Sequence, residues 1–164
     1  PRRTLEMISE LLRYQLYGGN QKVSILQEID YLKTYIALRK LRMSERLRLR
    51  VEFPPELNEL NIYPLLFLPL VENAFKYVGG DYQLDIIMKW ENNRISLFIR
   101  NSIPELSAED EALRKSVDER QRKGIGLVNL RRRLSLLYPN KHRLETRKEE
   151  TEFVAELMIE IEEI

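Results

Sequence analysis

The chain contains no cysteine and a single histidine, His142. Disulfides and thiolate metal sites are therefore excluded, and no Cys–His nucleophilic pair can form. The lone His142 stands in "PNKHRL", which reads as a surface turn between a helix and a strand. There is no HExxH motif and no EF-hand loop. No apolar run approaches the roughly 20 residues a membrane helix requires, and no signal peptide is visible. Neither sign of charge dominates, with 27 Lys and Arg against 26 Asp and Glu and a net charge of +1. That balance supplies no general argument for binding nucleic acid or a membrane surface.

What is present is 164 residues, 43% of them apolar, enough for one domain with a substantial core and a helical extension. "TLEMISELLRYQLY" repeats Leu5, Ile8, Leu12 and Leu16 at helical spacing, and "GGN" at 18–20 ends it. A second helix starts near Ser24, where Ser24 and Gln27 can form a capping box, and runs through "ILQEIDYLKTYIALRKLRMSERL". One stripe on it is Ile25, Ile29, Leu32 and Ile36; a second is Tyr31, Tyr35 and Leu38. A helix apolar on two sides is expected to pack on two sides. The period then falls to two in "LRLRVEF", a strand with Leu47, Leu49, Val51 and Phe53 on its buried face. Residues 65–78 read as a helix. "LDIIMKW" and "RISLFIR" read as a hairpin around "ENN", and "RLETRKE" with "FVAELMIEIEE" as another. Between them "GIGLVNLRRRLSLLY" reads as a loop leading into a helix whose core stripe is Leu127, Leu130, Leu134 and Leu137. Residues 103–123 are polar and charged, and a connection of that length is functional or disordered. The layout predicts an α+β fold: a two-layer sandwich, helices on one face of a mixed sheet, preceded by a helical segment.

The stretch "LPLVENAFKY" at 68–77 sets three polar groups into an apolar helix. Leu68, Val71, Phe75 and Val78 share the core face. Asn73, Lys76 and Tyr77 stand at i, i+3 and i+4 and share another, with Glu72 at its edge. An Asn carboxamide oxygen can ligate Mg²⁺, a Lys ammonium can neutralise phosphate, and Mg²⁺ needs few protein ligands when phosphates supply the rest. A solvated polar face would show the same pattern. "KGIGL" at 123–127 adds two glycines where a polar loop opens into a helix. Backbone amides and the helix dipole can receive an anion there. The motif is neither a P-loop nor a dinucleotide fingerprint.

"LPLVENAFKY" resembles the N box of the GHKL, or Bergerat-fold, ATPases. "KGIGLVNLRRRLSLLYP" resembles their second glycine box in the form used by LytS/YehU-type sensor histidine kinases. "LLRYQLY" followed by "VSILQEIDYLKTYIALRKLRMSERLRL" is similar to the stretch those kinases place between the phosphoacceptor helix and the ATP-binding domain. The resemblance implies that residues 1–45 are the end of a dimerisation and phosphoacceptor hairpin with its connecting helix, and that residues 46–164 form an ATP-binding catalytic domain. It implies ATP and Mg²⁺ as cofactors, with Asn73 as the metal ligand and Lys76 on phosphate. Glu72 would be the catalytic group beside them, orienting the attacking imidazole. Gly124 and Gly126 would meet phosphate through their backbone, Tyr77 and Leu127 would help to hold the nucleotide, and residues 103–123 would be the ATP lid. Where the family carries an Asp soon followed by glycines, which accepts from the adenine amino group, this chain reads "NSIPE". Asn101 takes the position, and its oxygen can accept the same bond without the strength a charge adds. Otherwise Asn101 and Ser102 simply end a strand. The implied partners are ATP, a LytTR-type response regulator and a second copy in a homodimer, with no nucleic acid. The implied location is the cytoplasmic portion of an integral inner-membrane protein.

Arginines 131–133 read as a solvated helix face or as a contact with the kinase's other half. The family's acceptor histidine lies in a "PHFLFN"-like stretch that does not occur here, so the chain reads as starting just after the acceptor helix. Two rivals stand beside the kinase. One is a non-catalytic interaction module on a degenerate form of the same fold, in which the Asn101 site binds no nucleotide. The other is a different ATPase of the superfamily. The set Asn73, Lys76, Gly124 and Gly126 favours a nucleotide binder, and the helical lead-in favours the kinase.

Overall fold

Two helices open the chain, α1 (Arg2–Tyr17) and α2 (Ile25–Arg42). The computed structural model describes residues 2–17, 21–57, 59–105, 109 and 125–162. The helix break expected at 18–20 and most of the expected lid lie outside them. The capping box forms: Ser24 Oγ accepts from the Leu26 amide at 3.2 Å, and Gln27 Oε1 accepts from the Ser24 amide at 3.2 Å. Ile25, Ile29, Leu32 and Ile36 are buried, as is Tyr31, while Tyr35 and Leu38 are half-buried. α2 packs against α1 and against the helix over residues 68–77. α1 itself is less covered, with Leu5 and Leu12 exposed. α2 stops at Arg42, short of the expected run to Leu47. Ser44 turns the chain there, its carbonyl accepting from the Leu47 amide at 3.0 Å and its hydroxyl from the Arg46 amide at 3.2 Å.

Five strands form the main sheet: β2 (Arg48–Glu52), β4 (Gln83–Glu91), β5 (Arg94–Ser102), β6 (His142–Lys148) and β7 (Glu152–Glu160). Their spatial order is β2-β4-β5-β7-β6. β2 runs parallel to β4 and the other pairs are antiparallel, so the sheet is mixed as expected. The β4–β5 hairpin closes through Asn92 and Asn93 at φ 51° and 61°, the pair of positive angles a type I′ turn requires. β2 is an edge strand, and its alternating face is half-buried where full burial was expected. A small ladder of β1 (Val23–Ser24) and β3 (Asn61–Ile62) was not foreseen. Two residues per strand are too few to show a period.

Helices α3 (Leu68–Tyr77) and α4 (Ile125–Leu137) lie over one face of this sheet. Leu84, Ile86, Met88, Ile95, Leu97, Ile99, Leu157 and Ile159 are buried beneath them. Leu68, Val71 and Phe75 of α3 and Leu130 and Leu134 of α4 complete the core. The other sheet face keeps Lys89 and Glu156 exposed. α3 starts three residues later than expected, because Leu65 adopts a left-handed φ of 63°. His142 is corrected as well: it begins β6 and is half-buried, with Nδ1 2.7 Å from the Tyr138 carbonyl oxygen.

Candidate functional site

α3 places the N-box side chains as its spacing dictates. Val71, Ala74 and Phe75 face the core, Asn73 and Tyr77 are half-buried, and Glu72 and Lys76 are exposed. Lys76 Nζ lies 5.3 Å from the Tyr77 ring centroid. Behind this face α2 supplies a group that sequence reasoning passed over. The Arg39 guanidinium stands 5.6 Å from the Phe75 ring, and Tyr35 meets the same ring edge-on at 6.4 Å. Arg39 lies one helical turn beyond Tyr35 on the second apolar stripe, which is the signal that marks it. Although the residue is exposed, neighbouring groups strip part of the water from the Glu72 carboxyl and raise it above its ordinary range, while the Arg39 charge opposes that rise. Burial, followed by the charge of Glu72, pushes the Tyr35 hydroxyl up to about 12.

Asn101 does more than end a strand. It continues the inward phase of Ile95, Leu97 and Ile99 and is only 1% exposed, with Nδ2 donating to the Ser102 carbonyl at 3.4 Å. The end of β5 is tied to the chain leaving α3. Ser102 Oγ donates to the Gly79 carbonyl at 2.7 Å and accepts from the Gln83 amide at 2.8 Å, and the Gly79 amide donates to the Ser102 carbonyl at 2.9 Å. A Cβ on Gly79 would come within 3.0 Å of Pro104, and one on Gly80 (φ 61°) within 2.8 Å of the Ile103 carbonyl. Two glycines of the turn leaving α3 thus pack against the residues that follow Asn101.

α4 carries Gly126 in its first turn, exposed, and among the described residues nothing comes within 4 Å of where a Cβ would stand. No acidic residue occupies that turn, which leaves the positive end of the helix dipole to an anion. Gly124 lies outside the described residues. The Leu127 side chain is half-buried against the core. α3 and α4 pack side by side, so the Asn73 face and the Gly126 turn belong to neighbouring elements. Arg131 and Arg132 are solvated as expected, but Arg133 is not: it is half-buried and bonded to main-chain carbonyls of residues 64 and 65.

The donor set fits a divalent ion held mainly by phosphate. Among the described residues no group of three or more His, Cys, Asp or Glu could hold a metal. Asn73 could offer Mg²⁺ a carboxamide oxygen, with the remaining ligands coming from phosphate and water. A cavity of about 620 Å³ lies on the uncovered sheet face, lined by residues including Ile87, Lys89, Phe98 and Arg143, and shares no residue with this site. Beside it Asp85, 1% exposed, is bonded to Arg100 through Nη2 at 2.6 Å and Nε at 3.0 Å.

Residues 1–47 match the family model described as histidine kinase. Sensor protein kinase HptS of Staphylococcus aureus (strain USA300) is 27% identical over 145 residues, covering 85% of this chain and 28% of that protein. The chain therefore spans well under half the length of the curated relatives it matches. Among solved structures, the Acinetobacter baumannii histidine kinase AdeS superposes with a TM-score of 0.54 at 15% identity, over 98% of this chain and 77% of that one. The catalytic domain of histidine kinase ThkA gives 0.53 at 17% identity, over 85% and 95%. The chain thus carries a histidine kinase match in its leading helices and the fold of histidine kinase catalytic domains.

Proposed function

We propose that this chain is the ATP-binding catalytic portion of a LytS/YehU-type sensor histidine kinase, with residues 1–45 ending a dimerisation hairpin and residues 46–164 forming a Bergerat-type domain. The observation that carries this reading is the pairing of α3 and α4. A helix with Asn73, Lys76 and Tyr77 on one face packs beside a helix whose first turn holds an exposed Gly126. Asn73 would hold Mg²⁺, which supplies charge neutralisation to the transferred phosphoryl group when bound. Lys76 neutralises phosphate charge, and the backbone at Gly124, Gly126 and Leu127 offers amides to it. Asn101 accepts from the adenine amino group through Oδ1 while Nδ2 stays on the Ser102 carbonyl. Glu72 orients the imidazole that attacks. The γ-phosphoryl passes from ATP to a histidine nitrogen outside these residues, leaving ADP, and then to an Asp of a LytTR-type response regulator.

The protein acts as a homodimer, a reading supported by the exposed Leu5 and Leu12 of α1. The chain is the cytoplasmic portion of an inner-membrane protein; no helix among the described residues is long and apolar enough to cross a membrane. His142 is read as a structural residue and not the acceptor, a reading supported by its place in a strand and by the Tyr138 carbonyl beside its Nδ1. The second reading, a non-catalytic module, draws on Asn101 standing where a carboxylate is expected. Incubation of the chain with radiolabelled Mg·ATP should leave it unlabelled, and adding the helix that bears the acceptor should yield acid-labile, base-stable phosphohistidine. Label on the chain alone that vanishes in His142→Ala, or no label in either case despite ATP binding, overturns the proposal.

A further inference from the structure

Main-chain groups at residues 63–65 are held by side chains from two different helices. The Leu65 amide donates to Glu28 Oε1 at 2.8 Å. The Leu65 carbonyl accepts from Arg133 Nη1 at 3.2 Å, and the Pro64 carbonyl from Nη2 at 3.0 Å. The Tyr63 amide donates to the Tyr138 hydroxyl at 3.1 Å, and the two tyrosine rings meet edge-on at 5.7 Å. Glu28 comes from α2 and is 0% exposed; Arg133 lies in α4, and Tyr138 directly follows it. Leu65 has a φ of 63°, a left-handed conformation that a bulky side chain seldom adopts. The bonds on both sides of its peptide account for its staying there.

Packing alone does not call for this arrangement. A carboxylate with no solvent contact is costly to bury, and apolar side chains of similar volume could fill the space. What these polar side chains add is direction: each bond fixes the orientation of one main-chain group. The clamped residues run straight into Phe67 and Leu68, where α3 begins. α3 carries Asn73 and Lys76, and the helix that supplies Arg133 begins at the Gly126 turn.

We propose that Glu28 and Arg133 are positioning residues of the nucleotide site, clamping the peptide between Pro64 and Leu65 so that the Asn73–Lys76 face of α3 stays in register with the glycine turn of α4. This rests on the nucleotide-binding reading above. It extends that reading to α2: through Glu28, a displacement of that helix reaches the metal and phosphate groups on α3.

The test compares Mg·ATP with adenosine, binding of the first read by calorimetry and of the second by ligand-detected NMR, which registers weak association. Adenosine has the base and no phosphate, so it reports the Asn101 end alone. Arg133→Ala and Glu28→Ala should weaken Mg·ATP about tenfold or more, as small misplacements of binding groups do, with adenosine binding unchanged. Arg133→Lys keeps the charge but loses the planar fork that reaches two carbonyls, and should fall between alanine and wild type. Glu28→Gln keeps an acceptor for the Leu65 amide and should restore most of the affinity. These two milder variants carry the test if the alanine variants do not fold. A wild-type chain that binds no Mg·ATP refutes the nucleotide reading and the inference with it. Wild-type binding with unchanged variants refutes the inference alone. Equal losses for both ligands, in step with lowered unfolding midpoints, show that the two residues are only structural and overturn it.

Discussion

Glu72 shows how one side chain can be read against its surroundings. Its folded carboxyl titrates above the ordinary value of 4.5, chiefly through desolvation. Between those two values the folded chain holds a proton that the unfolded chain has released, so stability falls as pH rises through that window. Glu72→Gln removes the titration. Urea midpoints of the variant and wild type should therefore diverge, in favour of the variant, as pH rises from 4 towards neutrality; parallel curves would contradict the assigned desolvation of the carboxyl. Asp85 and Arg100 form an ion pair on the other sheet face, the Asp85 side chain being only 2% exposed. Arg100→Ala should destabilise the chain by about 3 kcal/mol in chemical denaturation, the lower end for stranding a buried charge. Parity explains part of what was legible at this scale. Asn101 shares the phase of Ile95, Leu97 and Ile99, and Glu28 lies at i+3 from Ile25 and i+4 before Leu32, so both inward positions could be read from spacing. Asp85 could not, because it occupies the outward phase of β4 and is buried by Arg100. Nor could Leu65, since nothing about a leucine announces a left-handed φ.

Among the elements, long periodic segments were read with the right type and face. α2 combined two stripes with a capping box, three signals that agree, and it forms as expected. Ser24→Ala removes one side-chain acceptor from that helix start, and the cost should be about 1 kcal/mol in urea unfolding; an unchanged midpoint would show that the α2–β1 contacts alone hold the terminus. Boundaries were less legible where tertiary bonds decide them. The start of α3 is set by the clamp on residues 63–65, and the end of α2 by Ser44, and neither has a period to read. The β1–β3 ladder exists because Ile62 and the start of α2 share the core, a contact between residues nearly forty positions apart.

For the whole molecule, the two-layer arrangement followed from the order of periods along the chain, helical, then alternating, then helical and alternating again. The candidate site was legible in part. Its polar face and its glycine turn are visible as motifs, but the supporting groups, Arg39, Glu28, Arg133 and the Gly79–Gly80 turn, come together only in the fold. The central claim is that the α3 face and the α4 turn together bind Mg·ATP. Calorimetric titration of Mg·ATP into the wild-type chain and Asn73→Ala tests it most directly. The account predicts saturable binding by the wild type and a loss of about tenfold or more in the variant, since a divalent ion with few protein ligands loses the one assigned to it, while the unfolding midpoint stays the same. Equal affinity in the two proteins, or no heat from the wild type, would contradict it.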